Sequence, residues 1–413
     1  MAAILPDSDS EDELPSGWEE RATSDGSVYY VNHSTKGTQW THPRTGKRKI
    51  VSGELPYGWK KTVDENGKIF YENTVKNSVT FTDPRLAFAT EQKEHPTDIR
   101  QKYDASTHAL QILHGRDLSG SVAIITGASS GIGFETARSL ALHGCCVVFA
   151  CRSEERATSA IGKIKSERPT ATCHYINLNL ESLKSVENFV AEFKKEFKFL
   201  HYLILNAGVF ALPHTITPDG FELTFQVCHL SHFYLTKLLC DTLVSTPKSR
   251  VIVLSSESHR FSLLSEDSID EETLTPLDGS KFWSMIAYNN VKLCNVLFAS
   301  ELACRLYSYG VSVFSCHPGN LVYTNFFRYY WVYWLLSFLV RPFTKSLQQA
   351  ASTTIYCAVA TELNGISGSY FNNCYQCRPS SRAMNKTMAE KLWTLSENLI
   401  QKCGGSDRRA SFD

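Results

Sequence analysis

Hydrophobic and polar positions change their rhythm near residue 120. Ahead of it the apolar residues come in short alternating runs, "SVYYVN" at 27–32 and "KIFYEN" at 68–73, each preceded by a turn signal, "SDG" or "ENG". Alternation of that length between turn residues predicts β-hairpins. After a polar stretch, "ATEQKEHPTDIRQK", apolar runs take turns with amphipathic segments: "VAIIT" at 122–126, "FETARSLALHG" at 134–144, "CVVFACR" at 146–152, "YLILN" at 202–206 and "VIVLSS" at 251–256. Strands buried on both faces read as continuous apolar runs, and a strand–helix alternation implies a parallel sheet covered by helices on both sides. The expected fold class is α/β, a doubly wound parallel sheet of Rossmann type, preceded by two small three-stranded antiparallel β-meanders.

The two meanders are copies. "LPSGW" at 14–18 recurs as "LPYGW" at 55–59, an offset of 41 residues that also pairs Asn32 with Asn73, Trp40 with Phe81 and Pro43 with Pro84. This pattern of LPxGW, an aromatic pair, Asn, a second aromatic and Pro resembles the WW domain family. The resemblance implies that Trp18, Asn32 and Pro43 fold the first unit, while Tyr29 and Trp40 form a groove for proline and Val31 with His33 a pocket for the tyrosine of Pro-Pro-x-Tyr. A polyproline II ligand is already extended, so it loses little entropy on docking. The second copy carries Phe70, Glu72, Thr74 and Phe81 at those four binding positions. It is expected to fold and to bind poorly.

These readings divide the chain into an acidic, disordered start (1–13), a first WW unit (14–45), a second (55–86), a linker (87–118), the α/β domain (119–385) and a C-terminal helix and tail (386–413). Equal numbers of acidic and basic residues, 42 each, argue against a nucleic-acid binder that works by phosphate neutralisation. Thirteen cysteines without regular spacing, behind an opening "MAAILPDSDSEDEL" that does not read as a cleavable signal, suggest reduced thiols in the cytosol or nucleus. Arg44, Lys47, Arg48 and Lys49 form a basic cluster that reads as a solvated linker or a nuclear-import signal. Cys374 and Cys377 have metal-ligand spacing, but no second such pair exists to complete a tetrahedral site, so no metal is expected. The apolar run "YYWVYWLLSFLV" at 329–340 is too short to span a bilayer. It reads as a core helix, the wall of a substrate pocket, or an element resting on a membrane surface.

The first βαβ unit carries the candidate chemistry. "VAIIT" runs into "GASSGIG" and then into a helix, so Gly127, Gly131 and Gly133, with Ala128, Ser129, Ser130 and Ile132 between them, suit a pyrophosphate bound at a helix N-terminus. Where an acid would meet the ribose 2′-hydroxyl of NAD, the second strand ends in Arg152. That favours the 2′-phosphate of NADP, with NAD the alternative because Glu154 and Glu155 follow.

In order along the chain come "TGASSGIG", "NAG" (Asn206, Ala207, Gly208), "VIVLSS", "YNNVK" and "HPG" with Pro318 and Gly319. This series resembles the short-chain dehydrogenase/reductase family. The resemblance implies a nicotinamide cofactor, Tyr288 as proton donor, Lys292 one helical turn away lowering the phenol's pKa and holding the nicotinamide ribose, and, of the candidates Ser255 and Ser256, favours Ser256 to steady the developing alkoxide. The long insert "HRFSLLSEDSIDEETLTPLDG" resembles the retinol-dehydrogenase-like branch and is expected to shape one wall of the substrate mouth. Two positions depart from the family. Cys228 stands where an Asn holds a proton-relay water, so that either His229 or another group relays, or turnover is slow, or cofactor binds without much catalysis, and Asn179 stands where an Asp contacts adenine. The functional expectation is an NADP-dependent oxidoreductase of an apolar alcohol or carbonyl, recruited to Pro-Pro-x-Tyr proteins; the alternative is an adaptor with a weakly active, cofactor-responsive scaffold.

Overall fold

A computed structural model describes residues 14–51, 54–65, 67–75, 77–92, 102–319 and 345–404, and the apolar run at 329–340 lies outside them. The chain divides into two compact units, Met1–Asp98 with Gly115–Asp117 and Ile99–His114 with Leu118–Asp413.

The first unit holds the two meanders. Strands β1 (Trp18–Ala22), β2 (Val28–Asn32) and β3 (Gly37–Gln39) pair antiparallel in that order. Between the copies lies β4 (Lys49–Ile50); then β5 (Trp59–Val63), β6 (Ile69–Asn73) and β7 (Ser78–Thr80) repeat the first sheet, and β8 (Thr90–Glu91) pairs with β4. Asn32 explains its place in both copies: its Oδ1 accepts from Ser34 N (2.9 Å) and Thr35 N (3.1 Å), as Asn73 Oδ1 accepts from Val75 N (3.0 Å). Such local acceptors replace the ladder where the strand turns. The first copy's core is shared. Val28, Tyr30 and Val51 are buried, and packed on them are Trp18 and Ala22 from the same copy, with Leu86 from the end of the second copy and Ala89 just past it. Arg85 Nη2 donates to Thr23 O (3.2 Å), a further tie between the copies.

In the second unit the strands are β9 (Val122–Thr126), β10 (Cys146–Cys151), β11 (Cys173–Asn177), β12 (Tyr202–Leu205), β13 (Arg250–Leu254), β14 (Ser312–His317), β15 (Ser369–Asn372) and β16 (Tyr375–Cys377). They form one sheet in the order β11-β10-β9-β12-β13-β14-β15-β16, parallel except for β16. Its main helices are α1 (Gly131–Ala141), α2 (Glu154–Glu167), α3 (Leu183–Glu196), α4 (Ser231–Ser245), α5 (Ser284–Leu306), α6 (Leu347–Val359) and α7 (Lys386–Lys402).

Successive side chains of a strand face opposite ways, and the two cores follow that period. Ile124, Val148 and Val253 join the core under α3, α4, α5 and α7, while Ala123, Ile125, Phe149 and Ile252 join the one under α1, α2 and α6. Helix α7, expected to lie beyond the domain, contributes Met388, Leu392 and Trp393 to the first of these cores. The stretch expected as linker likewise carries buried residues at its end, with Ile112, Leu113 and Leu118 in the second core. The order in which strands are laid down reverses between β9 and β12, and the crevice at the carboxyl ends of those parallel strands is where ligands of such sheets bind.

Candidate active site

The glycine turn after β9 is built for close approach. A Cβ on Gly133 would stand 2.5 Å from Gly127 O and closer still to Asn206 Nδ2, and one on Gly127 would stand 3.2 Å from the Ala207 backbone. Gly127 and Gly131 have φ of 68° and 60°, where a side chain is strained. Ser130 precedes α1 without a side-chain cap hydrogen bond, so its first N–H groups remain for an anion. Around this turn Asn206 Nδ2 donates to Thr126 O (2.9 Å), and the Asn206 and Ala207 amides both donate to Thr126 Oγ1 (2.9 Å each). The "NAG" loop is thereby locked to the glycine turn. A hydroxyl that accepts two N–H groups has its own proton to give, and His232 Nε2 is 2.9 Å from Thr126 Oγ1. Nε2 must accept, so the proton sits on Nδ1, 3.3 Å from Cys228 O. Burial pushes His232 down to about 3, which keeps that neutral tautomer. Neither Thr126 nor His232 was expected to matter; the signal available was the Thr that opens "TGASSGIG" and the four-residue spacing from Cys228 to His232.

Helix α5 presents Tyr288 and Lys292 to the same crevice. The Lys292 ammonium is 5.4 Å from the Tyr288 ring centroid, and it donates to Leu254 O (3.2 Å), which also accepts from Asn295 Nδ2 (3.0 Å). Ser255 Oγ donates to Lys292 O (2.7 Å), tying the end of β13 to α5. Next along the chain, Ser256 is near enough to the Tyr288 phenol to favour its phenolate, and its Oγ accepts from Ser258 N (3.2 Å). Its main chain is fixed by a second buried histidine: Ser380 N donates to His259 Nε2 (3.1 Å), which leaves the proton on Nδ1 for Ser256 O (2.7 Å). Phe210, from the loop after β12, meets Tyr288 edge-on at 4.8 Å.

The electrostatics correct one expectation. Lys292 was expected to lower the phenol's pKa, but Tyr288 lies above its ordinary value, because burial and the Cys228 thiol oppose the phenolate more than Ser256 favours it. Burial also lowers Lys292. With its ammonium held by Leu254 O, the lysine is not aimed at the phenol oxygen. The phenol is therefore protonated at neutral pH and suited to donate.

Cys228 lies in a π-helical turn, Gln226–Leu230, that leads into α4. Its Sγ accepts from Val209 N (3.3 Å), and a Cβ on Gly208 would touch both Sγ (3.4 Å) and Lys292 Nζ (3.9 Å), so the thiol belongs to the site. His229 does not. Its Nε2 meets Ser396 Oγ of α7 (3.1 Å) among the rings of Phe225, Phe233 and Phe298, and burial pushes it down to about 4, so it cannot replace the missing Asn.

The remaining expected residues lie as follows. Arg152 is largely exposed at the end of β10 and pairs with Glu181. Asn179 Oδ1 accepts from Glu181 N (3.1 Å) in the next loop. Pro318 and Gly319 follow β14, where a Gly319 Cβ would clash with Lys345. The insert lines a groove of about 200 Å³ with Leu274 and Pro276 against Trp283, just before α5, and Ile286 and Asn290 within it. On a helix those positions lie on a different face from Tyr288 and Lys292, so this groove is not the expected wall beside the phenol. Among the described residues no His/Cys/Asp/Glu group suits a metal and no helix is long and apolar enough to cross a membrane. In the first unit Tyr29 and Trp40 are edge-on at 5.8 Å with Trp40 52% exposed, and His33 Nε2 is 2.8 Å from Glu19 Oε2. Val31 is half-buried beside them on β2. In the second copy Lys68 Nζ lies over the exposed Phe81 ring, 4.2 Å from its centroid.

Family models match along the same lines, the WW domain at residues 14–43 and the short chain dehydrogenase at 121–264. A WW domain-containing oxidoreductase of Drosophila melanogaster is 58% identical over 96% of this chain and 97% of its own. Retinol dehydrogenase 12 of Mus musculus is 41% identical over 68% of this chain and 87% of its own. Among solved structures, a Mycobacterium paratuberculosis protein aligns at 27% identity with a TM-score of 0.56, over 72% of this chain and 97% of that one. An active-site crevice between β9 and β12, WW units ahead of it and near full-length likeness agree: the chain is a short-chain dehydrogenase/reductase and belongs to the WW domain-containing oxidoreductase family.

Proposed function

We propose that the protein reduces an apolar carbonyl compound with NADPH, and catalyses the reverse oxidation, while its first WW unit recruits it to proteins that carry Pro-Pro-x-Tyr. The reading rests above all on one observation, the convergence of Tyr288, Ser256 and Lys292 at the switch point of the sheet. The residues present suit a nicotinamide dinucleotide: the turn Gly127–Gly133 for its pyrophosphate, Asn206–Gly208 and Pro318–Gly319 flanking the crevice, and Lys292 for the ribose beside the ring. When bound, that group supplies the hydride. The chain's own part is the proton. Tyr288 gives it to the carbonyl oxygen as charge builds there, and Ser256 donates a hydrogen bond to the same oxygen, while Lys292, anchored on Leu254 O, serves the ribose.

Arg152 supports NADP, since its exposed guanidinium can exchange Glu181 for a 2′-phosphate. The apolar substrate is supported by the name of the retinol dehydrogenase relative, and a reducing compartment, cytosol or nucleus, by thirteen free thiols. A second reading, an adaptor with a slow or silent reductase domain, is favoured by Cys228 alone, a weak hydrogen-bonding group in the site. Oxidation of NADPH and of NADH by the full chain, screened against retinoids, steroids and simple ketones, tests both. Turnover with NADPH and an apolar carbonyl is expected. Coenzyme binding without turnover of any carbonyl would favour the adaptor, and equal affinity for the two coenzymes would remove the case for NADP.

A further inference from the structure

The segment after the first WW unit is more than a connector. His42 N donates to Lys47 O (2.7 Å), Val51 N to Gly26 O (2.8 Å) and Gln92 N to Arg48 O (2.7 Å), while Ile50 bridges Ser27 and β4 pairs with β8. These bonds lay the 47–51 segment along the start of β2. Between it and the Trp40 indole runs a groove of about 260 Å³, with Val28, Trp40 and Ile50 on its apolar sides and Arg48, Lys49 and Gln92 supplying polar groups. The cations differ. Lys49 Nζ is 3.7 Å from Glu20 Oε1 and largely covered, whereas Arg48 is exposed and its guanidinium has no partner among the described residues.

We infer that the proline groove of the first WW unit continues past Trp40 into this slot, and that it selects partners with an acidic residue just before the Pro-Pro pair. The inference rests on the proposed Pro-Pro-x-Tyr reading, which fixes the direction. With the tyrosine at Val31 and His33 and the prolines on Tyr29 and Trp40, the chain that runs off Trp40 is the one preceding the prolines. A polyproline II segment advances about 3.1 Å per residue, so one or two further residues bring a carboxylate from the indole into the slot. There the guanidinium can hold it with two parallel N–H donors.

The test uses the full chain and three labelled peptides that share Pro-Pro-Ala-Tyr and differ in the two preceding residues: Glu-Glu, Ala-Ala or Lys-Lys. An exposed pair is worth little, so at low salt the Glu-Glu peptide is expected to bind about three- to fivefold more tightly than Ala-Ala, with Lys-Lys weakest. The order should flatten as salt shortens the screening length. Arg48→Glu should remove the preference for Glu-Glu and leave Ala-Ala within about twofold of the parent, because one exposed side chain changes from cation to anion and the uncharged pair meets neither. Equal affinities in the parent, or a preference that survives Arg48→Glu, would overturn the cationic slot alone. If none of the three bound, the Pro-Pro-x-Tyr reading itself would fall, and this inference with it.

Discussion

Replacing Gly133 with alanine tests how the cofactor turn is built. The new methyl would lie 2.5 Å from Gly127 O and within reach of Asn206 Nδ2, whose hydrogen bond to Thr126 O (2.9 Å) locks the two loops. Backbone cannot yield cheaply, so Asn206 must swing away or the turn must open. Overpacking costs about 1–3 kcal/mol and the lost hydrogen bond about 1 kcal/mol more, some 2–4 kcal/mol together. If the coenzyme must restore the closed turn to bind, its dissociation constant rises by about 30- to several-hundred-fold at 1.4 kcal/mol per decade. Gly162→Ala is the control. That glycine is inside α2 with nothing within 4 Å of a new Cβ, so alanine there should stabilise the domain by roughly 0.5–1 kcal/mol and leave coenzyme affinity alone. Quenching of protein fluorescence by NADPH, with thermal unfolding beside it, reads both variants. A Gly133→Ala protein that bound coenzyme like the parent would refute the close-packed turn.

Three further outcomes follow from the geometry. Cys228→Asn should raise turnover if a weak proton relay limits the rate, and an unchanged rate in steady-state assays would place the limit elsewhere. Tyr288 should ionise above the ordinary tyrosine value of about 10, because its folded-state pKa is raised; the phenolate absorbance of the parent minus that of Tyr288→Phe checks this, and a midpoint below that value would mean Lys292 dominates after all. Since a raised pKa keeps the phenol protonated through neutral pH, carbonyl reduction should not lose its acid there, whereas oxidation, which needs the phenolate, should quicken as pH rises. Trp40→Ala should abolish Pro-Pro-x-Tyr binding without unfolding its unit, since Trp40 is 52% exposed and Trp18 packs on the core; circular dichroism separates the two effects.

Much of this was legible in the sequence because it is local. A 41-residue offset carries LPxGW and Asn from copy to copy, and the asparagines do the same turn-capping work in both. The glycine turn, "NAG" and the Tyr288–Lys292 spacing each sit within one strand–helix junction or one helical turn. What escaped depends on partners far apart in the chain. Leu86 and Ala89, at the end of the second WW unit and just past it, cover the first unit's core, and nothing in their own neighbourhood announces it. Helix α7 was set outside the domain, yet its Trp393 packs edge-on against Phe233 at 4.8 Å. The aim of Lys292 was missed for a similar reason: helical spacing puts it beside Tyr288, but the carbonyl that holds its ammonium comes from Leu254, 38 residues earlier. His229 is adjacent to Cys228 in sequence, but the hydroxyl its Nε2 meets is that of Ser396, 167 residues on.

The central claim is that Tyr288 gives the proton and does not bind the coenzyme. The direct measurement is single-turnover oxidation of NADPH by Tyr288→Phe with a carbonyl substrate that the parent reduces, alongside NADPH titration of both proteins. The expected result is no detectable turnover in the variant with a coenzyme dissociation constant within about twofold of the parent, the pattern of an interaction made only in the transition state. Turnover at the parent's rate would contradict it, as would a variant that fails only because it no longer binds NADPH.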